Sequence, residues 1–250
     1  MKNFAALINR QRLAPSLLDY SYLSLKGNLE AFLFFRELVL RRPGARILDV
    51  GCGFKPWRRL FPAAGVECVG VDADPAVSEA DAVGSAEKLP FGDSAFDAVI
   101  CSEVLEHVGD LPAALTELRR VARDGALLYI SSPFMFPVHG LPDDYQRLTG
   151  RYYRRAFSGD ELLWLRESNS SAAMIFMSVN LFIESTPFSI YRRLKAPVYA
   201  LFNAGALLGE LFTGLALRLL GEKFRHAFYS MPAGYSVVVR LKKDVPAQAG

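Results

Sequence analysis

Two hydrophobic patterns alternate along the first 150 residues. Short, near-continuous apolar runs occupy 45–50 (ARILDV), 67–73 (ECVGVDA), 81–85 (DAVGS), 96–102 (FDAVICS) and 125–132 (GALLYISS). Runs of this length with no polar alternation predict strands of a parallel sheet buried on both faces. Between the last two, LPAALTELRRVARD sets Leu115, Leu118 and Val121 at helical spacing. Residues 28–42 (NLEAFLFFRELVLRR) also carry helical spacing, with Asn28 as a candidate cap and Pro43-Gly44 as a stop. Strands alternating with helices predict an α/β domain whose sheet is covered on both sides.

Beyond residue 150 the pattern loosens. Residues 158–169 predict a short capped helix, 172–179 (AAMIFMSV) a sixth strand and 235–243 (YSVVVRLKK) a final one. Some 55 residues separate the last two, far more than a hairpin loop holds, so 180–234 is expected to be a helical insertion. The division is then a helical extension over 1–43, one domain over 44–243 including the insertion, and a flexible tail over 244–250.

Composition narrows the function. A chain of 250 residues with 51% hydrophobic content is large enough for one full core. Its 29 basic and 26 acidic residues lack the excess that nucleic-acid binding requires, so RYYRR (151–155) is expected to be a solvated helix edge and no nucleic-acid partner is expected. Cys52, Cys68 and Cys101 are odd in number and lie in or beside strand-like runs, which suits a reduced, cytoplasmic compartment. Arg10 and Arg12 interrupt the first apolar stretch before a signal-peptide core forms. His107, His139 and His226 show no HxxxH or comparable spacing, so no metal is expected.

ARILDVGCGFKP (45–56) breaks from a strand into two glycines, Gly51 and Gly53, but Pro56 stands where a dinucleotide loop has glycine or alanine. A pyrophosphate site is therefore disfavoured. What remains is either a tight turn or a turn that lets backbone approach a ligand, with Asp49 before it. Asp72, nineteen residues after Gly53 at the end of the second strand, suits a ribose diol.

ILDVGCG, GVDADP, SAEKLPFGDSAFDAVICSEVLEHV and ELRRVARDGALLYIS, in this order over about residues 44–150, resemble successive motifs of class I S-adenosylmethionine-dependent methyltransferases. The resemblance implies a Rossmann-like seven-stranded sheet, mostly parallel with the last strand antiparallel, and S-adenosylmethionine as cofactor. It places Gly51 and Gly53 against the methionine part, Asp49 near its amino group and Asp72 on the ribose. Ser85, Ala86 and Glu87 fall at the adenine, where the family more often has Asp at position 85. Cys101 and Ser102 fall beside the methyl-transfer centre, although Cys101 also reads as a small buried hydrophobe. Glu103, Glu106 and His107 suggest an acid/base cluster, against which stands the expectation that the two glutamates cap a one-turn helix and face solvent while His107 packs or serves the helix end.

The loop 131–150 follows the fifth strand and so overhangs the donor. Its pattern PxHxxPxDYxRxT, and Lys55-Pro56 in the first loop, are similar to a methyltransferase subgroup found in glycan and cell-envelope biosynthesis. His139 is the candidate base for a hydroxyl acceptor, imidazole being matched to neutral pH. Asp144 is expected to orient it or bind a sugar hydroxyl, Arg147 to pair with an acidic substrate group, and Tyr145 to complete the set. The alternative is an Asp144–Arg147 salt bridge fastening the loop over Tyr145. The expected activity is O-methylation of a small-molecule or lipid-linked glycan acceptor. Its rivals are C-methylation of a quinone-like lipid and a catalytically inactive S-adenosylmethionine-binding or membrane-docking protein, since ARDGA (122–126) replaces the family's usual KPGG.

Residues 197–217 (PVYALFNAGALLGELFTGLAL) carry one charge, Glu210. Projected on a helix, Asn203, Glu210, Gly214 and Arg218 form a narrow polar stripe, flanked by Arg192, Arg193 and Lys195 before and Lys223 and Arg225 after. Three readings stand: contact with the cytoplasmic face of the inner leaflet through 192–225, core or homodimer packing, and a true span. The span is disfavoured because the last strand must return to the sheet.

Overall fold

The computed structural model of the chain describes residues 2–62, 65–76, 79–185 and 192–243, so the expected tail at 244–250 lies outside the described residues. Strands β1 (Ala45–Val50), β2 (Val66–Asp72), β3 (Ala82–Val83), β4 (Phe96–Ser102), β5 (Ala122–Pro133), β6 (Glu161–Glu167) and β7 (Gly234–Arg240) form one seven-stranded sheet in the order β3-β2-β1-β4-β5-β7-β6. Strand β7 is antiparallel to both neighbours and the remaining pairs are parallel. This is the Rossmann-like sheet that the motif order implies. The winding reverses between β1 and β4, and the crevice at their carboxyl ends is where open α/β sheets bind ligands.

Helix α1 (Lys2–Leu13) precedes α2 (Tyr22–Leu40), which buries Ala31, Phe32, Phe35 and Val39 against Ile47, Ile100 and Tyr129 on one face of the sheet. Helix α3 (Leu111–Val121) is capped by Asp110, whose carboxylate accepts from the Ala113 amide at 2.9 Å, and packs Leu118 and Val121 on the other face. Asn28 is not the cap of α2. It lies inside the helix, where its side chain accepts from the Ser236 hydroxyl at 2.8 Å and donates to Glu103 at 3.2 Å. In α4 (Gly150–Ala156) the RYYRR segment is anchored rather than merely solvated: Tyr153 is fully buried and its hydroxyl lies 2.6 Å from that of Ser132.

Two elements after residue 157 reverse the sequence expectation. The predicted helix at 158–169 contains strand β6, and the predicted strand at 172–179 lies inside helix α5 (Ser171–Ser185). A register irregularity between Leu162 and Trp164 breaks the alternation that would have marked β6, sending Leu162 and Leu165 to one core and Leu163 and Trp164 to the other. In α5 the unbroken apolar run conceals a helical face of Ala173, Met174, Met177 and Leu181. The helical insertion before the last strand thus starts at α5, earlier than 180, and continues through α6 (Arg192–Leu220) and α7 (Arg225–Phe228).

Helix α6 lies along α5, close enough that a Cβ on Gly209 would meet the Ala173 amide nitrogen at 3.0 Å. Asn203 and Glu210 face inward. The Asn203 amide donates to the carbonyls of Leu17 and Asp19, both at 2.8 Å, and Glu210 accepts from the Ser170 amide. Gly214 and Arg218, expected on the same stripe, are exposed. Leu201, Leu208, Leu211, Leu215 and Leu219 point outward with 54–77% of their surface exposed. Lys195 is buried and donates to the Ile183 carbonyl at 2.9 Å, so it is no basic shoulder. The side chains of Arg192 and Arg193 lie outside the described residues.

Candidate active site

The turn after β1 shapes the crevice. Gly51 adopts φ +64° and a Cβ there would fall 2.3 Å from the Val104 side chain, so no larger residue fits. Gly53, at φ +49°, donates its amide to Asp72 Oδ2 at 2.9 Å, while Asp72 Oδ1 accepts from the Asp74 amide at 3.0 Å. The Asp72 carboxylate is thereby fixed at the carboxyl end of β2, with one remaining lone pair on each oxygen for a diol. Asp49 is 6% exposed and its Oδ2 has no hydrogen-bond partner. Burial pushes its carboxyl up to about 7, against the pull of Arg12 and Lys55.

Two cavities meet at this turn. One of about 200 Å³ is lined by Arg12, Asp49, Gly51, Gly53, Trp57 and Ser102. The other, of about 270 Å³, is lined by Gly51, Asp72, Ser85, Ala86, Glu103 and His107. Gly51 borders both, which makes them two ends of one trough. The residues fit S-adenosylmethionine: the Asp49 carboxylate, with one oxygen unpartnered, lines one end for an ammonium, and the fixed Asp72 carboxylate lines the other for a ribose.

Other predicted residues take different places. Glu87 is committed elsewhere, its carboxylate accepting from the Asp110 amide at 2.6 Å, whereas Ser85 and Ala86 line the trough. Cys101 is enclosed in the core, where burial raises its thiol, and it lines none of the cavities described here. Ser102 does face the trough and pairs with the Ser131 hydroxyl at 2.9 Å. Lys55 runs over Gly70 to an ion pair with Asp81 at 2.7 Å, and Pro56 leads into a 3-10 turn that stacks Trp57 on Phe32 with ring centres 4.2 Å apart. Lys55-Pro56 therefore chiefly braces the glycine turn.

A third cavity of about 190 Å³ lies under α1, lined by Arg12, Tyr20, Asn28, Glu103, Phe136 and His139 among others. Arg12 also borders the donor trough and reaches the Ser102 hydroxyl at 3.4 Å, so α1 roofs both spaces. The sequence alone does not point to Arg12, Tyr20 or Phe136: Arg12 follows Asn9, Arg10 and Gln11 in a polar run, and its place at the site depends on how α1 folds over the sheet.

In the 131–150 loop Asp144 and Arg147 pair with each other, Nη2 to Oδ2 at 2.8 Å, and Arg147 holds the Asp144 carboxyl well below the usual range. Asp144 Oδ2 also accepts from the His139 amide at 2.9 Å and lies 3.5 Å from His139 Nδ1. Tyr145 is not packed beneath this pair: it is 58% exposed, and its hydroxyl donates to Asp143 at 2.7 Å. Glu106 does not face solvent either. It is fully buried, neither carboxylate oxygen has a hydrogen-bond partner, and Oε1 lies 3.7 Å from His107 Nε2 and 3.8 Å from His139 Nε2. Glu106 raises the His139 pKa, outweighing partial burial. Glu103 sits at φ +56°, a costly conformation for a non-glycine residue that clusters at functional sites. Burial and the Glu106 charge raise its carboxyl.

Residues 48–130, from β1 to β5, match the methyltransferase-domain family. The match covers about one third of the chain. It is 31% identical to a malonyl-[acyl-carrier protein] O-methyltransferase of Serratia marcescens over 124 residues, 46% of this chain and 49% of that protein. It is 34% identical to a demethylmenaquinone methyltransferase of Mycolicibacterium gilvum over 113 residues, 42% of this chain and 49% of that protein. The chain thus spans about half the length of these relatives. The solved structure of MccD superposes with a TM-score of 0.52 at 14% identity, covering 85% of this chain and 96% of that one. The [4+2]-cyclase SpnF gives 0.50 at 17%, covering 85% and 81%. At these identities the likeness concerns the fold alone, and the chemistry has to be argued from side chains.

Proposed function

We propose that the protein transfers a methyl group from S-adenosylmethionine to a hydroxyl of a sugar-type acceptor. The observation that carries the donor is Asp49, a buried carboxylate that lines the trough and has one unpartnered oxygen, across the glycine turn from Asp72. When bound, the donor supplies an electrophilic methyl on a sulfonium. Asp49 pairs with its ammonium, Asp72 accepts from its ribose hydroxyls and α1 keeps water out. The cavity under α1 receives the acceptor, whose hydroxyl lies beside His139. His139 takes the proton as the oxygen forms its bond to the methyl carbon, and Glu106 stabilises the resulting imidazolium. Holding the two reactants in line is the larger part of such catalysis, and base assistance contributes about 100- to 10,000-fold.

Transfer of labelled methyl into the glycan and lipid fractions of a cell extract tests the reading. Label in glycan, lost on Asp72→Ala together with calorimetric binding of S-adenosylhomocysteine, is the expected result; absence of donor-product binding to the wild type overturns it. Methylation of a quinone-like lipid is the second reading, favoured by the demethylmenaquinone relatives and by the outward apolar face of α6. On that reading the label enters lipid and survives His139→Ala. Either substrate suits a protein that rests on a membrane, and we assign the outward face of α6 to contact with the cytoplasmic leaflet.

A further inference from the structure

We infer that Glu106, His107 and His139 bind a divalent first-row transition ion where the donor trough meets the acceptor cavity. The three residues belong to two separate segments, a one-turn 3-10 helix after β4 and the loop after β5, yet one ligand atom from each lies within 4.8 Å of the others. Glu106 is the telling member. A fully buried carboxylate without a single hydrogen-bond donor is expensive, and here both oxygens lack one.

The imidazoles are oriented as ligands. His107 Nδ1 lies against the Asp143 carbonyl oxygen, and His139 Nδ1 is 3.1 Å from that of Pro137. A carbonyl only accepts, so each Nδ1 carries a hydrogen and, in the neutral ring, each Nε2 presents its lone pair. Both Nε2 atoms face Glu106 Oε1, at 3.7 and 3.8 Å. With both rings neutral, lone pairs from all three residues face the same small space, and a cation there would relieve their repulsion. Backbone carbonyls on the far nitrogens are the outer support that metal-binding histidines usually have. The rings are further fixed: Gly140, at φ +65°, leaves no room for a Cβ, which would lie 2.8 Å from His107 Cε1, and the two imidazoles meet edge to face at 4.9 Å.

Two imidazoles and one carboxylate form a donor set that zinc uses in catalytic sites, with a fourth position left open. Bonds of about 2.0–2.1 Å in a tetrahedron put ligand atoms roughly 3.3 Å apart, so the two separations from Glu106, 3.7 and 3.8 Å, close by about half an ångström on binding, and the two imidazole nitrogens, within 4.8 Å of each other, draw together by side-chain rotation. His107 lines the donor trough, His139 the acceptor cavity and Glu103 both. The open position therefore faces the place where methyl and acceptor oxygen meet. This role rests on the methyltransferase reading: an acceptor hydroxyl bound there is acidified and releases its proton to water in the cavity. Its oxygen then bonds the methyl carbon while the carbon–sulfur electrons pass to sulfur. In the loaded enzyme His139 is a ligand, and the ion takes over the work otherwise left to it as base.

The test uses the full chain, stripped with chelator and titrated with Zn²⁺ by calorimetry, with Co²⁺ as a spectroscopic probe of coordination. One Zn²⁺ per chain is expected, together with the visible bands of a low-coordinate Co²⁺ site. Glu106→Gln and His139→Asn each weaken Zn²⁺ binding by about 100-fold or more, whereas His226→Asn, at an exposed histidine elsewhere, leaves it unchanged. Having a conservative change in the core and another on the exposed loop guards against misfolding of either variant. Absence of stoichiometric Zn²⁺, or equal binding by Glu106→Gln, overturns the inference and leaves a shared proton as the countercharge of Glu106. S-adenosylhomocysteine is titrated into the same samples: its binding without Zn²⁺ sinks the ion site alone, and Zn²⁺ binding without it sinks the methyltransferase reading alone.

Discussion

On the proposed reading, Asp49 couples donor binding to pH. Its carboxyl in the free protein is raised to about 7, by burial first, whereas in the unfolded chain it titrates near 3.8. Between those values the native state holds a proton that the unfolded state has lost. The residue therefore favours the fold at low pH, and that contribution disappears as pH rises through 7. A donor ammonium needs the ionised form. Affinity for S-adenosylmethionine is expected to fall about tenfold from pH 8 to pH 6, the fraction ionised in the free protein dropping by that factor. Asp49→Asn removes the slope and lowers affinity at pH 8. The ligand-free variant also melts higher than wild type at pH 8 and gains little near pH 4. Calorimetry over this range, with melting curves of both proteins, checks each sign. The Asp49, Gly51, Gly53 and Asp72 pocket was legible because one turn and one neighbouring strand supply it. Glu106, His107 and His139 were not, because their meeting depends on how the loop after β5 folds back over the end of β4, and Arg12 enters from a helix far away in sequence.

Elements were readable where burial imposes a clean period. Strands β1 and β4 and the carboxyl-terminal part of β5 are enclosed on both faces, and their sequences show it as unbroken apolar runs. Where one face meets something unusual the period misleads. Strand β6 is an edge strand with an irregular register, and α5 is apolar on both its buried and its exposed sides, so their assignments were exchanged. The same inversion governs α6, whose Asn203 and Glu210 serve the interior. Asn203 supplies both amide hydrogens to carbonyls of the segment joining α1 to α2, and so fastens the roof of the site to the insertion. Asn203→Leu leaves two carbonyls without donors. The expected cost is about 2–4 kcal/mol, taking roughly 1–2 kcal/mol for each unpaired group. Thermal melting should show the loss. Acceptor turnover should fall more than donor-product affinity, because the acceptor cavity lies directly under the segment that loosens.

At the scale of the whole molecule, the outward face of α6 is the feature that a soluble enzyme has least reason to keep. Lys195–Leu220 is long and apolar enough to cross a membrane by length and composition, yet its inward side is bound through Asn203 and Glu210 to the rest of the fold. A spanning helix would have to give up those bonds. A helix lying in the interface keeps them and buries Leu201, Leu208, Leu211, Leu215 and Leu219 in the acyl boundary. Each fully buried leucine contributes about 1.5–3 kcal/mol, so even partial insertion of five gives useful affinity. Exposed Arg218 and Lys223 at the carboxyl end of the helix favour anionic headgroups. Wild-type protein is expected to float with anionic vesicles. Leu208→Glu/Leu215→Glu, which alters only exposed side chains, should remain in the soluble fraction while still binding S-adenosylhomocysteine normally. Equal sedimentation of both proteins would remove the membrane from the account. If the wild type alone then proved dimeric by analytical ultracentrifugation, the apolar face would belong to a second copy of the chain, and the acceptor would have to arrive from solution.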